Sequence, residues 1–226
     1  MVKSSAQVTK IPRSERILRA VSTLIAHYGF DKTTMEDIAR EARVSKGALY
    51  LEWPGKDELF DALINYEMQR VLLDLQQRIT TDPLGVLFSH LYGHTLLALK
   101  ANPLILALYT HDSRILGDFI YRQDVRRYTE RLLVGKEVAA EMQAAGLLRP
   151  DLQPKVIVYL FSIVALGFAA IGSLIPPEET PPLEDVVNGV SAMVETGLCL
   201  PGQDSQAGKD AMMKMVELLV QQYGGR

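Results

Sequence analysis

The chain has 226 residues, of which 48% are hydrophobic and 23% charged, with a formal net charge of −3. These proportions fit a soluble globular protein with a real core, in one large domain or two smaller ones. The overall charge does not announce a nucleic-acid partner, and the single Cys199 excludes an intrachain disulfide or a cysteine-built metal cluster.

The distribution of charge is more telling. Residues 1–60 carry ten Lys/Arg against eight Asp/Glu, a net of +2, and the rest carry fourteen against nineteen, a net of −5. A basic end on an acidic body suits a DNA reader attached to a separate unit. Residues 1–12 read as a disordered, basic arm without the apolar core of a secretory signal. With no disulfide to form, the expected compartment is the cytoplasm.

The first predicted helix runs from Ser14 to Gly29. Ile17, Ala20, Val21, Leu24, Ile25 and Tyr28 recur on one face at helical spacing, and Gly29 can end it. Thr33 or Thr34 caps the second helix, because Thr33 with Glu36 and Thr34 with Asp37 are both spaced for reciprocal capping. Met35, Ile38 and Ala39 form its inner face. Ala42-Arg43-Val44 makes a turn, Ser45 caps a third helix, Leu49 points to the core and Pro54-Gly55 breaks the chain.

A long helix follows from Lys56 to about Ile79, with Leu59, Phe60, Leu63, Ile64, Met68, Val71, Leu72 and Leu75 in period. It is long enough to bridge two bodies. Further helices are expected over 83–101, 103–112, 114–120, 122–145, 154–175, 184–199 and 208–223, with loops at 176–182 and 200–202. No segment alternates like a strand. The fold is therefore expected to be all-α, with an N-terminal three-helix helix-turn-helix unit over 13–57 and a helical body over 58–226.

The segment Thr33–Lys56 is the one that suggests chemistry. A helix-turn-helix works by presenting a short, narrow second helix to the major groove while the first holds it on the core. Ser45-Lys46-Gly47-Ala48 opens that helix. Gly47 and Ala48 allow close backbone approach, and Lys46 can reach a guanine edge or a phosphate. The helix N-terminus favours a phosphate, and Tyr50 and Lys56 are placed to donate to phosphates at the groove edge.

The order of helix, Gly-Phe, Thr-Thr, helix, Val-Ser-Lys-Gly-Ala-Leu-Tyr, aromatic-Pro and Lys-Asp-Glu-Leu-Phe over residues 14–65 resembles the tetracycline-repressor (TetR) family of bacterial transcription regulators. The resemblance implies a homodimer that binds a two-fold related operator in double-stranded DNA, and a divergent helical ligand-binding and dimerisation body. It matches the family's groove helix to Ser45–Leu51, its base-facing start to Lys46, Gly47 and Ala48, and its phosphate contacts to Thr34, Tyr50 and Lys56. Two positions depart from the pattern. Arg43 stands where the family's turn often has glycine, and Glu52 stands where a histidine or another neutral or basic residue is common. A carboxylate facing DNA is repelled, so Glu52 is expected to turn aside, pair with a base such as Lys56, or read a cytosine amino group.

The implied effector is a small molecule that changes the spacing of the two readers, with the helix Lys56–Ile79 as lever. Candidate lining residues are Tyr92, Thr95, Tyr109, Phe119, Tyr128, Phe161 and Phe168, whose character suggests a hydrophobic or aromatic ligand; the alternative for each is an ordinary core position. Arg122, Arg126, Arg127 and Arg131 are read as a solvated, salt-bridged face rather than an anion site. His90 and His94 have metal-binding spacing, but no Cys, Glu or third His stands nearby in sequence, so the pair is read as ordinary helix histidines and no metal or cofactor is expected.

Ser162, Ala165, Ala169 and Gly172 form a small-residue strip proposed for close helix approach in a four-helix dimer interface. The uncharged run 156–175 is long enough to span a bilayer. It is read instead as a helix buried within an oligomer, with membrane association as the alternative. No catalytic motif is present, so an enzyme is not expected. The expected function is a ligand-responsive repressor.

Overall fold

The structure, a computed structural model, describes residues 11–85, 87–122, 136–172, 174–201, 210 and 213. Nearly all of the expected helix 208–223, most of 122–145, the arm residues 1–10 and Tyr128 lie outside the described residues. No strand forms among the described residues; one isolated antiparallel bridge pairs Leu148 with Cys199.

The head consists of α1 (Arg13–Tyr28), α2 (Met35–Glu41) and α3 (Lys46–Glu52). Ile17, Val21 and Ile25 from α1, Ile38 from α2 and Leu49 from α3 are almost fully buried and form its core. Of the two possible caps for α2, Thr34 is the one used. Its hydroxyl accepts from Asp37 N at 3.2 Å, and Asp37 accepts from Thr34 N at 3.2 Å. Thr33 is buried and donates instead to Gly29 O at 2.9 Å, so its hydroxyl serves the end of α1. Arg43 adopts the left-handed conformation that its place in the turn demands, with φ 54°. That costs roughly 1–2 kcal/mol relative to glycine. It lets Val44 N reach Ala39 O at 2.9 Å and closes the turn.

From the head, α4 (Lys56–Thr81) runs for 26 residues into the body. The body continues with α5 (Phe88–Lys100), α6 (Pro103–Thr110), α7 (Ser113–Leu116), α8 (Phe119–Arg122), α9 (Lys136–Ala144), α10 (Pro154–Ile171) and α11 (Leu183–Leu198). Three boundaries differ from expectation. The helix expected from 83 begins at Phe88, because Asp82 accepts from Leu84 N at 2.9 Å and holds a turn there. The helix expected over 114–120 is two short pieces separated by Gly117 at φ 53°. The one expected to reach 175 stops at Ile171, ahead of Pro176 and Pro177.

In the body, α5 packs against both α4 and α11, while α10 packs against α6 and α9. Tyr92 of α5 crosses to α10, donating to Phe161 O at 2.6 Å with the two rings 4.7 Å apart. Burial, with the neighbouring Tyr109, pushes the Tyr92 phenol well above the ordinary tyrosine value of 10.0.

Head and body meet where the corner after α1 touches α7 and α8. Phe30, Phe60 and Phe119 form one aromatic cluster, with ring centroids 4.8, 5.4 and 4.4 Å apart. Phe30 N donates to Ile115 O at 2.8 Å, and Asp118 N donates to the Asp31 carboxylate at 3.1 Å. The approach is too close for side chains at two positions. A Cβ on Gly29 would lie 2.6 Å from Arg114 O, and one on Gly117 would land on the Asp31 carboxylate.

Two measurements check this packing. Phe119→Ala removes a fully buried ring and is expected to lower stability to urea by about 3–5 kcal/mol; a loss under about 1 kcal/mol contradicts the packed joint. Tyr92 has a raised folded-state pKa, so its contribution is complete below the ordinary tyrosine pKa and is lost as pH climbs from there toward the raised value. Unfolding followed between pH 8.5 and 11 should show this alkaline loss in the native sequence and a shallower one in Tyr92→Phe. At neutral pH that variant is weaker by about 1–3 kcal/mol, because Phe161 O loses its donor.

Candidate nucleic-acid interface

Local rules hold α3 outward. Ser45 Oγ accepts from Ala48 N at 3.1 Å and sets the helix start, and Leu49 is the only residue of the helix that is buried. One apolar anchor on a seven-residue helix leaves the remaining faces free. Ser45, Lys46, Gly47, Tyr50 and Leu51 are exposed, Leu51 to 88%, and Ala48 is half-buried. Apart from its chain neighbours and its own helix backbone, no atom lies within 4 Å of a Cβ built on Gly47, so the helix start is open to a close-approaching surface. The result is a narrow rod with a capped N-terminus facing outward, the shape that enters a major groove.

The charges around the rod are paired. Lys46 Nζ binds Glu36 of α2 at 2.8 Å; this bond holds the ammonium's pKa above its ordinary value and the carboxylate's below. Arg40 pairs with Asp37 across one turn of α2. Together with the Thr34 hydroxyl, the first cause, it holds that carboxylate below its usual range. Glu52 pairs with Arg13 at the start of α1, 3.4 Å away, rather than with Lys56. The reason is the position of Lys56. Its ammonium lies 4.0 Å over the Phe30 ring and 3.4 Å from Asp31 O. Thr34 is exposed, with its hydroxyl in the α2 cap. Sequence reasoning gave Glu36 only as a possible capping partner of Thr33 and did not single out Arg13. Glu36 is ten residues from Lys46 and on another helix, and no local spacing signals that pairing.

The body candidates separate into two places. Tyr92 of α5 and Tyr109 of α6 both reach α10, Tyr92 at Phe161 and Tyr109 OH at 3.5 Å from Ser162 O, and Phe168 is half-buried on α10 against the core. Thr95 is half-buried on α5 and donates to Leu91 O. Phe119 lies apart from this group, in the aromatic joint with the head.

On α10, Ala165 is buried, Ser162 and Ala169 are half-buried and Gly172 is exposed. The outward ridge is a different set, with Tyr159, Leu160, Ile163, Leu166 and Ile171 all exposed. The helix is strongly apolar, with a mean hydropathy of 2.0, yet only 17% of it is buried within the chain. It is thus not enclosed on all sides by its own body. At the far end of α4, Asp82 supplies the carboxylate that the sequence around His90 and His94 lacks.

Residues 17–63 match the family model described as bacterial regulatory proteins, tetR family. Over 54 residues, 24% of this chain, the sequence is 33% identical to the uncharacterised HTH-type transcriptional regulator YuxN of Bacillus subtilis. That match spans only 19% of YuxN, and a second B. subtilis regulator, YfiR, is matched over 37% of its length at 33% identity. The fold extends further than the sequence likeness. AibR, crystallised with isovaleryl coenzyme A and operator DNA, aligns over 80% of this chain and 97% of its own, with a TM-score of 0.55 at 21% identity. SmeT, repressor of the Stenotrophomonas maltophilia efflux pump SmeDEF, aligns in its triclosan complex over 84% of this chain and 93% of its own, with a TM-score of 0.59 at 18% identity. Residues 17–63 thus match the tetR family of bacterial regulatory proteins, and at least 80% of the chain shares the fold of AibR and SmeT.

Proposed function

We propose that the protein is a homodimeric, cytoplasmic transcriptional repressor that leaves its operator when a small hydrophobic or aromatic molecule binds the body. The observation that carries the reading is the single-anchored, outward α3 at the edge of a tetR-family head. Lys46, Gly47 and Ala48 meet base edges. Ser45, Thr34, Tyr50 and Lys56 lie toward the flanking phosphates, which position the helix without reading sequence. Lys46 leaves Glu36 to do so. Both partners are more than half exposed, so solvent already screens the pair and the exchange is easy.

AibR and SmeT, each crystallised with a small molecule, support a ligand-responsive body here. The region of Tyr92, Thr95, Tyr109, Phe161 and Phe168 is the proposed effector site. For release, the effector must prefer the α4 orientation that misplaces the two heads; equal affinity for both orientations would shift nothing.

The outward ridge of α10 supports a second copy as partner. At 18 residues the helix is about 27 Å long, short of the roughly 30 Å hydrocarbon core of a bilayer. Its inner face is committed to the body through Ile157, Phe161 and Ala165. A two-fold pairing of α10 and α11 covers the ridge without dismantling that packing and gives the four-helix arrangement. Ser162, Ala165, Ala169 and Gly172 then lie at the flank and inner side of the contact, beside the large apolar ridge.

Gel shifts on the DNA flanking the protein's own gene test the reading. The native chain should bind a two-fold related site with an affinity that falls steeply with salt. Lys46→Ala should weaken it about 5–150-fold; indifference to every such sequence refutes the function. For the interface, Ile163→Asp with Leu166→Asp should turn a dimer into a folded monomer in sedimentation. A native chain that sediments as a monomer, or that partitions into detergent-extractable membrane, overturns the dimer.

A further inference from the structure

We propose that Asp82, His90 and His94 form a binding site for one divalent transition-metal ion at the corner between α4 and α5. The inference does not depend on DNA binding or on the effector. Asp82 is the residue that ends α4. One carboxylate oxygen, Oδ1, is fixed by the Leu84 amide at 2.9 Å, which aims the other at α5. That oxygen, Oδ2, lies 2.9 Å from His90 Nδ1 and 2.8 Å from His94 Nε2. The two histidines are one helical turn apart and present their nitrogens on the same side. One ligand atom from each of the three residues can be chosen so that all lie within 4.8 Å of one another.

The spacing suits an ion with little rearrangement. Donors about 2.1 Å from a metal are separated by about 3.0 Å at a right-angle geometry and about 3.4 Å at a tetrahedral one. The observed nitrogen–oxygen distances match the first and need a side-chain adjustment of roughly half an ångström for the second. Two imidazoles and one carboxylate select zinc, nickel, cobalt or iron(II) over magnesium or calcium, which require mostly oxygen donors. Three protein ligands leave at least one position open to water or to a donor atom of a bound molecule.

The ring nitrogens set the expected strength. Without metal, each histidine donates an N–H to Asp82. An ion takes the place of those two protons, and each ring proton moves to the other nitrogen. For His90 the other nitrogen is on a ring that is 30% exposed. For His94 it is Nδ1, which is buried with no hydrogen-bond partner among the described residues. Metal-binding histidines ordinarily have an acceptor at that outer nitrogen, and its loss weakens affinity by about 10–100-fold. The site should therefore bind in the micromolar rather than the nanomolar range. A bound ion would tie the end of α4 to α5.

The test uses full-length protein without a histidine tag, stripped with chelator, dialysed and titrated with cobalt(II) while visible d–d absorbance is followed, then with zinc(II) in competition. One cobalt per chain with micromolar affinity is expected, together with an increase in melting temperature. His90→Gln and Asp82→Asn should each lose at least tenfold in affinity with unchanged circular dichroism. Asp82→Asn can keep the turn through its amide oxygen, so it separates ligand loss from misfolding. His111→Ala, at the exposed position that follows α6, should leave metal affinity unchanged. Absence of stoichiometric uptake, or equal affinity in both ligand variants and the native chain, overturns the proposal.

Discussion

The joint between head and body depends on three phenyl rings from three separate elements. Phe30 belongs to the corner after α1, Phe60 to the second turn of α4 and Phe119 to α8, and all three are essentially solvent-free. Removing any one leaves a cavity that the other two cannot fill, because each is held by its own backbone. The backbone contacts fix the same place. Phe30 N is bound to Ile115 O and Asp118 N to Asp31, while Gly29 and Gly117 let the two turns approach each other. Lys56 adds its ammonium over Phe30. The orientation of the head is therefore set jointly by α4 and by the α7–α8 turn. A shift in the body that reaches α8 acts on the α1–α2 corner directly as well as through the long helix.

Local chemistry was readable in the sequence and long-range pairing was not. Gly29 ends α1, Thr34 with Asp37 starts α2, Ser45 starts α3 and Pro54-Gly55 precedes α4, because each device acts within four residues. The misplaced starts and ends have local causes of weaker signature: an aspartate turn at Asp82 and a left-handed Gly117 inside an otherwise helical pattern. Phe119 could be seen as apolar, but its partners are 59 and 89 residues away, and no period reports them. The same holds for Asp82, which lies eight and twelve residues from the histidines it meets. On α10 the sequence conveyed the apolar character but not which side would be covered by the chain itself. Ile157, Phe161 and Ala165 turned inward, while Tyr159, Leu160, Ile163 and Leu166 stayed exposed.

The surface of α3 is neutralised within the head. Glu36 holds Lys46, and Arg13 holds Glu52. Both pairs are exposed ion pairs in water, the kind whose net contribution is small. A polyanion can therefore take Lys46 from Glu36 without a large loss, while Glu52 keeps its own cation and presents less repulsion. The departure at Glu52 is thus absorbed by α1. The departure at Arg43 is accommodated by a backbone that accepts the left-handed turn and leaves the guanidinium at the surface.

Movement of α4 is limited by a buried carboxylate at its middle. Glu67 of α4 is 1% exposed and accepts two bonds from Arg70, at 3.0 and 3.1 Å, and one from Asn102 at 2.7 Å. Asn102 in turn caps α6 through Ile105 N at 3.1 Å. Sliding α4 along α6 would pull Glu67 off Asn102, while Arg70 travels with it on the same helix; the loss is that of a hydrogen bond to a charged group, about 1.5–3 kcal/mol. Tilting about Glu67 leaves them in contact. From that point α4 extends about 16 Å to Lys56 and about 21 Å to Thr81. A displacement where α4 meets α5 would then swing the other end in the opposite sense by a similar amount. The head, gripped at Phe60, would move with it, and the strain would appear at the Phe30–Phe119 contact rather than at α3.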